Sequence, residues 1–234
     1  MFQPGLVSVT FTQLRCEDVI RLAQAAQLKA IEWHGIEHVP HGDLGIAEHI
    51  AQCTADAGLA VATYGSYYVV GESENQGLSF ASVLQTAKAL HAPMIRVWAG
   101  YLNPRDATLA YRATIADETR RIADLAAQQQ IKLVLEFHQD SLTQTGESCA
   151  ALMEAVGHSN ARVYWQPTPE LDVDGNLSQL RWVLPWLVGM HVFHWRPTHM
   201  DRHPLAQGES DWGQYLRLAR QHHDSLYTLL EFVK

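Results

Sequence analysis

Short apolar runs rich in β-branched and aromatic residues alternate along this chain with longer stretches whose apolar positions recur at helical spacing. The strand-like runs are LVSVTF (6–11), AIEWHG (30–35), AVATYGSYY (60–68), MIRVWAG (94–100), KLVLEFH (132–138), RVYWQP (162–167), GMHVFHW (189–195) and LYTLLEFV (226–233). Between them lie CEDVIRLAQAAQ, IAEHIAQCTADAG, FASVLQTAKALH, TLAYRATIADETRRIADLAAQQQ, ESCAALMEAVG, LSQLRWVLPWL and WGQYLRLARQHH, each amphipathic as a helix. Gly58 and Gly157 follow apolar stripes and read as helix C-terminal glycines. Pro167 and Pro169 forbid a helix and mark a loop after the sixth strand. Strands separated by helices imply a parallel sheet with right-handed crossovers. Eight such units in 234 residues predict a (β/α)8 TIM barrel, an α/β fold, spanning residues 1–234 as one domain. The alternative, an open doubly wound sheet, lacks a Gly-rich phosphate loop after its first strand. No helical pattern follows the eighth strand. Outward residues of the first and last strands, such as Leu230 and Phe232, are therefore expected to be partly uncovered. A partner subunit, giving a homo-oligomer, or an N-terminal segment is expected to cover that seam.

Within KLVLEFH, alternation puts Val134, Glu136 and His138 on one face and Leu133, Leu135 and Phe137 on the other. A carboxylate inside such a buried strand is costly unless something compensates it. In a barrel, chemistry sits where strands end. The last inward position of each late strand is Glu136 from the fifth, Gln166 from the sixth, His191 from the seventh and Glu231 from the eighth. Singly, each has a plain structural explanation. Together, two carboxylates, one imidazole and one amide oxygen form a site for a divalent metal ion, with Mn²⁺, Mg²⁺ or Co²⁺ favoured over Zn²⁺.

Composition narrows the classes. With 47% hydrophobic and only 18% charged residues, a folded core is expected rather than disorder. A formal net charge of -8 argues against a nucleic-acid or anionic-membrane binder. Cys16, Cys53 and Cys149 lack metal-type spacing and fit a reducing compartment better than a disulfide scaffold. The N-terminus carries no signal-peptide pattern, so a cytoplasmic location is expected.

The segments IEWHG, LEFH, MHVFHW, AQGESDWGQYL and LLEFV, in this order, resemble those of the xylose isomerase-like TIM-barrel superfamily. That group holds sugar isomerases and epimerases, hydroxypyruvate isomerases, inosose dehydratases and AP endonucleases. The resemblance implies one metal held by Glu136, Gln166, His191 and Glu231, with Gln166 standing where the epimerase branch has aspartate. It implies a metal-polarised carbonyl, an enediolate, and Glu136 and Glu231 as the catalytic bases. His138, His194, Arg196, Glu32 and His34 are the candidate substrate-binding residues, with Arg196 suited to a carboxylate or phosphate. Trp33, Trp98 and Trp195 either stack on a sugar or pack the barrel. Glu209, Asp211 and Trp212 are expected to shape the loop into the seventh helix, with Asp211 as an N-cap. The expected activity is isomerisation or epimerisation of a small sugar, keto-acid or polyol. The alternatives are a dehydratase of the same group and a non-catalytic sugar-binding barrel.

Overall fold

A computed structural model describes residues 2–233. Eight parallel strands close a barrel in sequence order: β1 (Gln3–Val7), β2 (Ala30–His34), β3 (Ala60–Val69), β4 (Met94–Trp98), β5 (Lys132–Glu136), β6 (Ala161–Trp165), β7 (Leu187–Val192) and β8 (Tyr227–Leu230). The helices between them are α1 (Cys16–Ala25), α2 (Leu44–Asp56), α3 (Phe80–Ala89), α4 (Leu109–Gln128), α5 (Gly146–Val156), α6 (Val173–Val183) and α7 (Glu209–Arg220). Five of them start on a side-chain cap: Asp43, Ser79, Thr108, Thr145 and Asp172 each accept a bond from a backbone N–H three residues on. Gly157 caps α5 at φ +56 and Gly58 follows α2 at φ +72, both in the left-handed region that glycine adopts without a Cβ penalty.

The first strand lies earlier than its apolar alternation suggests. Residues 8–11 form a 3-10 turn, because the Ser8 hydroxyl accepts the His34 N–H at 2.8 Å and meets His38 Nδ1 at 2.9 Å. The strand instead contains Pro4 and Gly5. A Cβ on Gly5 would stand 2.6 Å from both the Ala30 carbonyl oxygen and Leu229 Cδ2, so glycine is what allows β1, β2 and β8 to close together. Strands β4 to β8 end two to three residues before their apolar runs do, which places Gln166 and Glu231 just past β6 and β8.

Period-two alternation divides the core. Ile31, Leu133, Leu135, Val163 and Met190 face the helices, in the large outer core. Val7, Ala30, Ala62, Met94, Val134, Tyr164 and Leu229 fill the inside as a separate cluster. Tyr164 reaches across this floor to hydrogen-bond the Thr63 hydroxyl, and its ring occupies the space a Cβ on Gly189 would need. Two residues further along their strands stand Glu32, Arg96, Glu136, Gln166, His191 and Glu231. An apolar floor therefore carries a polar upper rung.

No helix follows β8 among the described residues. An apolar groove of about 470 Å³ runs outside the seam, lined by Pro4, Leu205, Trp212, Leu216 and Leu230. Leu230 is partly exposed there, as expected. Phe232 is also half-buried, but outside the groove: at φ +42 its ring faces Trp195, 6.1 Å away, and lies under the Arg202 guanidinium.

Replacing Gly5 by Ala should cost about 1–3 kcal/mol, because backbone on one side and a packed leucine on the other must give way. Urea unfolding of the variant measures this; an unchanged midpoint would mean the β1–β2–β8 contact is looser than described.

Candidate active site

The upper rung is a single network of buried charges. Arg96, 2% exposed, stands at its centre. Its Nε donates to Glu32 Oε1 at 2.7 Å and its Nη1 donates to Glu136 Oε2, which also accepts from Trp98 Nε1. Glu136 Oε1 is left free of these donors and lies 3.3 Å from His191 Nδ1. The same Nδ1 has Gln166 Oε1 at 3.2 Å and Glu231 Oε2 at 4.0 Å. On the opposite side of the ring, His191 Nε2 lies 3.3 Å from Glu32 Oε2. One imidazole nitrogen thus faces a carboxylate, and the other faces three oxygen-bearing side chains.

That is the geometry of a metal-ligating histidine steadied from behind by a carboxylate. Ligand atoms of Glu136, His191 and Glu231 all lie within 4.8 Å of one another. The donor set fits a divalent cation. Three carboxylates against one guanidinium leave a formal charge of minus two, which such an ion cancels when His191 is neutral.

The ionisation states follow from the same charges. Burial disfavours the His191 imidazolium, yet Glu32, Glu231 and Glu136 outweigh it and push the pKa up to about 10. Burial likewise opposes the Glu136 and Glu32 carboxylates, but Arg96 and His191 hold both below the usual carboxylate range. Glu231 goes the other way. Burial raises its pKa, and Glu136 adds to this against the pull of His191.

The remaining expected residues scatter. Glu32 is wholly buried, with both oxygens committed to Arg96 and His191, and does not line the mouth. His34 Nδ1 accepts the Ile36 and Glu37 N–H groups at 3.3 and 3.0 Å. Burial first, then the nearby His38 and Arg96, bring its pKa down to about 4, so its ring is neutral. His138 stacks on Trp98 at 4.8 Å and lines a mouth cavity of about 340 Å³ together with Gln166 and Trp195. His194 and Arg196 turn away from that cavity: His194 packs on Gly208, and Arg196 pairs with Asp211 at 3.4 Å. Asp211 is not a cap; α7 starts two residues earlier, and Gly208 occupies its N-cap position. Trp33 packs between strand and helix, its Nε1 donating to Thr54 Oγ1 at 3.2 Å.

Two residues of the site escaped the sequence reading. Arg96 carried a signal, since a charge inside MIRVW poses the question that Glu136 poses inside KLVLE. Tyr67 carried none. A register shift between Gly65 and Tyr68 puts it at φ +55, and its ring meets His34 at 4.6 Å, Trp98 at 5.3 Å and the Arg96 guanidinium at 4.9 Å. Bulges and strained backbone of this kind gather beside functional sites.

The xylose isomerase-like TIM barrel family model matches residues 20–232. The chain belongs to that family. No curated protein sequence matches it. Solved structures share its fold at low identity. The probable 3-DHS dehydratase AsbF from Bacillus anthracis, involved in petrobactin synthesis, is 18% identical with a TM-score of 0.80, over 99% of this chain and 93% of that one. The D-allulose 3-epimerase from Methylomonas sp. is 16% identical with a TM-score of 0.77, over 98% and 84%. The IOLI protein, crystallised with a zinc atom, is 14% identical with a TM-score of 0.78, over 99% and 89%. No helix among the described residues is long and apolar enough to cross a membrane.

Two outcomes are expected. Arg96→Met should destabilise the metal-free protein by about 3–5 kcal/mol, because two buried carboxylates lose their partner; chemical denaturation reads this directly. Divalent-metal binding at pH 7 should release about one proton, since the ion must displace the one held by His191. Affinity should then rise roughly tenfold per pH unit until the pH approaches 10, where that proton is already gone. Calorimetry in buffers of different ionisation enthalpy counts the proton; zero release would mean that His191 holds no proton at pH 7 or is not a ligand.

Proposed function

We propose that the protein is a metal-dependent isomerase or epimerase of a small sugar, keto-acid or polyol. One observation carries this reading: Glu136, Gln166, His191 and Glu231 converge around a single imidazole nitrogen at the open end of the barrel. Glu136 Oε1, Gln166 Oε1, His191 Nδ1 and Glu231 would hold the ion, with Mn²⁺, Mg²⁺ or Co²⁺ favoured by the oxygen-rich set and Zn²⁺ admitted. When bound, such an ion supplies Lewis acidity toward a carbonyl and its neighbouring hydroxyl.

The protein's own residues supply the proton handling. Glu136 and Glu231 come from strands on different sides of the mouth, so each can address a different face of a carbon between them. Glu136, held ionised by Arg96, takes a proton from that carbon. Glu231, in the setting that favours its acid form, returns one. Arg96 and Trp98 fix the Glu136 carboxylate plane so that Oε1, not Oε2, faces the substrate side. His138 and Trp98 offer a stacked wall for the sugar's apolar edge.

The same constellation begins a dehydration, and the fold shared with a probable dehydratase keeps that reading in view. Mass decides between them: an isomerase or epimerase conserves it, whereas a dehydratase releases water.

The test is solvent-deuterium exchange across ketoses, keto-acids and inososes with the metal-loaded enzyme. The active substrate should take up deuterium at the carbon beside its carbonyl. Glu136→Gln and Glu231→Gln should each lower turnover by at least about a hundredfold while the barrel stays folded by circular dichroism. Turnover within a few-fold of wild type in either variant would refute the two-carboxylate reading and favour a non-catalytic sugar-binding barrel.

A further inference from the structure

The flank of α7 that borders the open seam carries a pattern its own chain leaves unused. At helical spacing Glu209, Gly213, Leu216 and Arg220 fall on one stripe, beside the Trp212, Tyr215 and Ala219 face that packs into the core. Glu209 and Leu216 line the apolar groove outside β1 and β8. Glu209 and Arg220, at the two ends of the stripe, are exposed, and among the described residues neither has an ion-pair partner. Gly213 stands in the middle of the helix, where glycine costs stability relative to alanine. A Cβ there would meet nothing within 4 Å, so no neighbour in the chain requires the glycine.

The far wall of the groove is bare in the same way. One flank of α1 faces α2, with Gln24 Nε2 donating to the Ala57 carbonyl at 2.9 Å and Glu17 lying 3.8 Å from His49. Leu22 is on the opposite flank, toward the seam, and is 43% exposed. Between α7 and α1 no helix covers β8 and β1 among the described residues.

The α7 stripe is its own complement. In chain order it is acid, small, large and base. A two-fold axis between residues 214 and 215 sets a second copy of α7 antiparallel to the first. Glu209 then meets the partner's Arg220, and Leu216 lies over the partner's Gly213, each pair occurring twice. The charges match because α7 begins with acids and ends with bases, and antiparallel helices also oppose their dipoles. The open space over Gly213 is a notch for the leucine, as a ridge enters a groove. Leu22 and Leu230, partly exposed in a single copy, gain apolar cover from the inserted helix. We infer that the protein is an isologous dimer in which α7 of each copy fills the groove between α7 and α1 of the other.

The test is sedimentation equilibrium of the full chain and its variants. The wild type should sediment at twice the chain mass. Gly213→Gln should be a monomer, because the new side chain fills the notch. It should keep its helix content by circular dichroism, since the substitution removes a helix glycine and its Cβ meets nothing in its own chain. Glu209→Arg and Arg220→Glu should each raise the dimer Kd at least about tenfold, by setting like charges opposite one another twice. The two reversals combined should return it to within a few-fold of wild type. A wild-type protein still monomeric at about 100 μM would overturn the inference and leave the groove to a different occupant. So would a Gly213→Gln protein that stays dimeric, or paired reversals that fail to restore the dimer, since the copies would then meet elsewhere.

Discussion

A guanidinium buried among carboxylates is the interaction on which this site depends. Glu32 and Glu136 stand in the barrel at 0% and 3% exposure, where an isolated carboxylate would simply take up a proton. Arg96 keeps both charged, and it does so asymmetrically. By taking one oxygen of each, it leaves the other oxygen of Glu32 for His191 Nε2 and the other oxygen of Glu136 for the side facing Nδ1. With Trp98 helping at Glu136, that one side chain aims the free oxygens of Glu32 and Glu136. It also accounts for the neutral Gln166. With Arg96 and Glu32 cancelling each other, Glu136 and Glu231 alone carry the two negative charges that a divalent ion requires.

Much of this was legible in the chain because parity survives folding. The alternation of KLVLE put Val134 and Glu136 on one face, and the barrel puts Val134 in the floor and Glu136 directly above it. The same two-residue step relates Tyr164 to Gln166, Gly189 to His191 and Leu229 to Glu231, which is why the four could be read together as strand-end residues.

What was not legible depends on contacts that parity does not encode. The apolar alternation of LVSVTF continued through a turn, because Ser8 finds its partners in β2 and the loop beyond it. Tyr67 is aimed by a register shift that exists only once β3 meets β4. Arg196 and Arg202 share one irregular loop with no period to rank them; the place of Asp211 on α7 is what draws Arg196 away from the mouth cavity. Arg96 is a different case. Its signal was present: a lone charge in an apolar run, on the strand before the one that carries Glu136.

The floor of the barrel has a consequence for traffic. Tyr164 spans the interior to Thr63 and fills the notch left by Gly189, so the lower end is closed by packed side chains. Among the described residues, what reaches the acid cluster enters and leaves past Trp195 and Gln166, at the open end. A molecule bound at the cluster then blocks the mouth to the next until it has left.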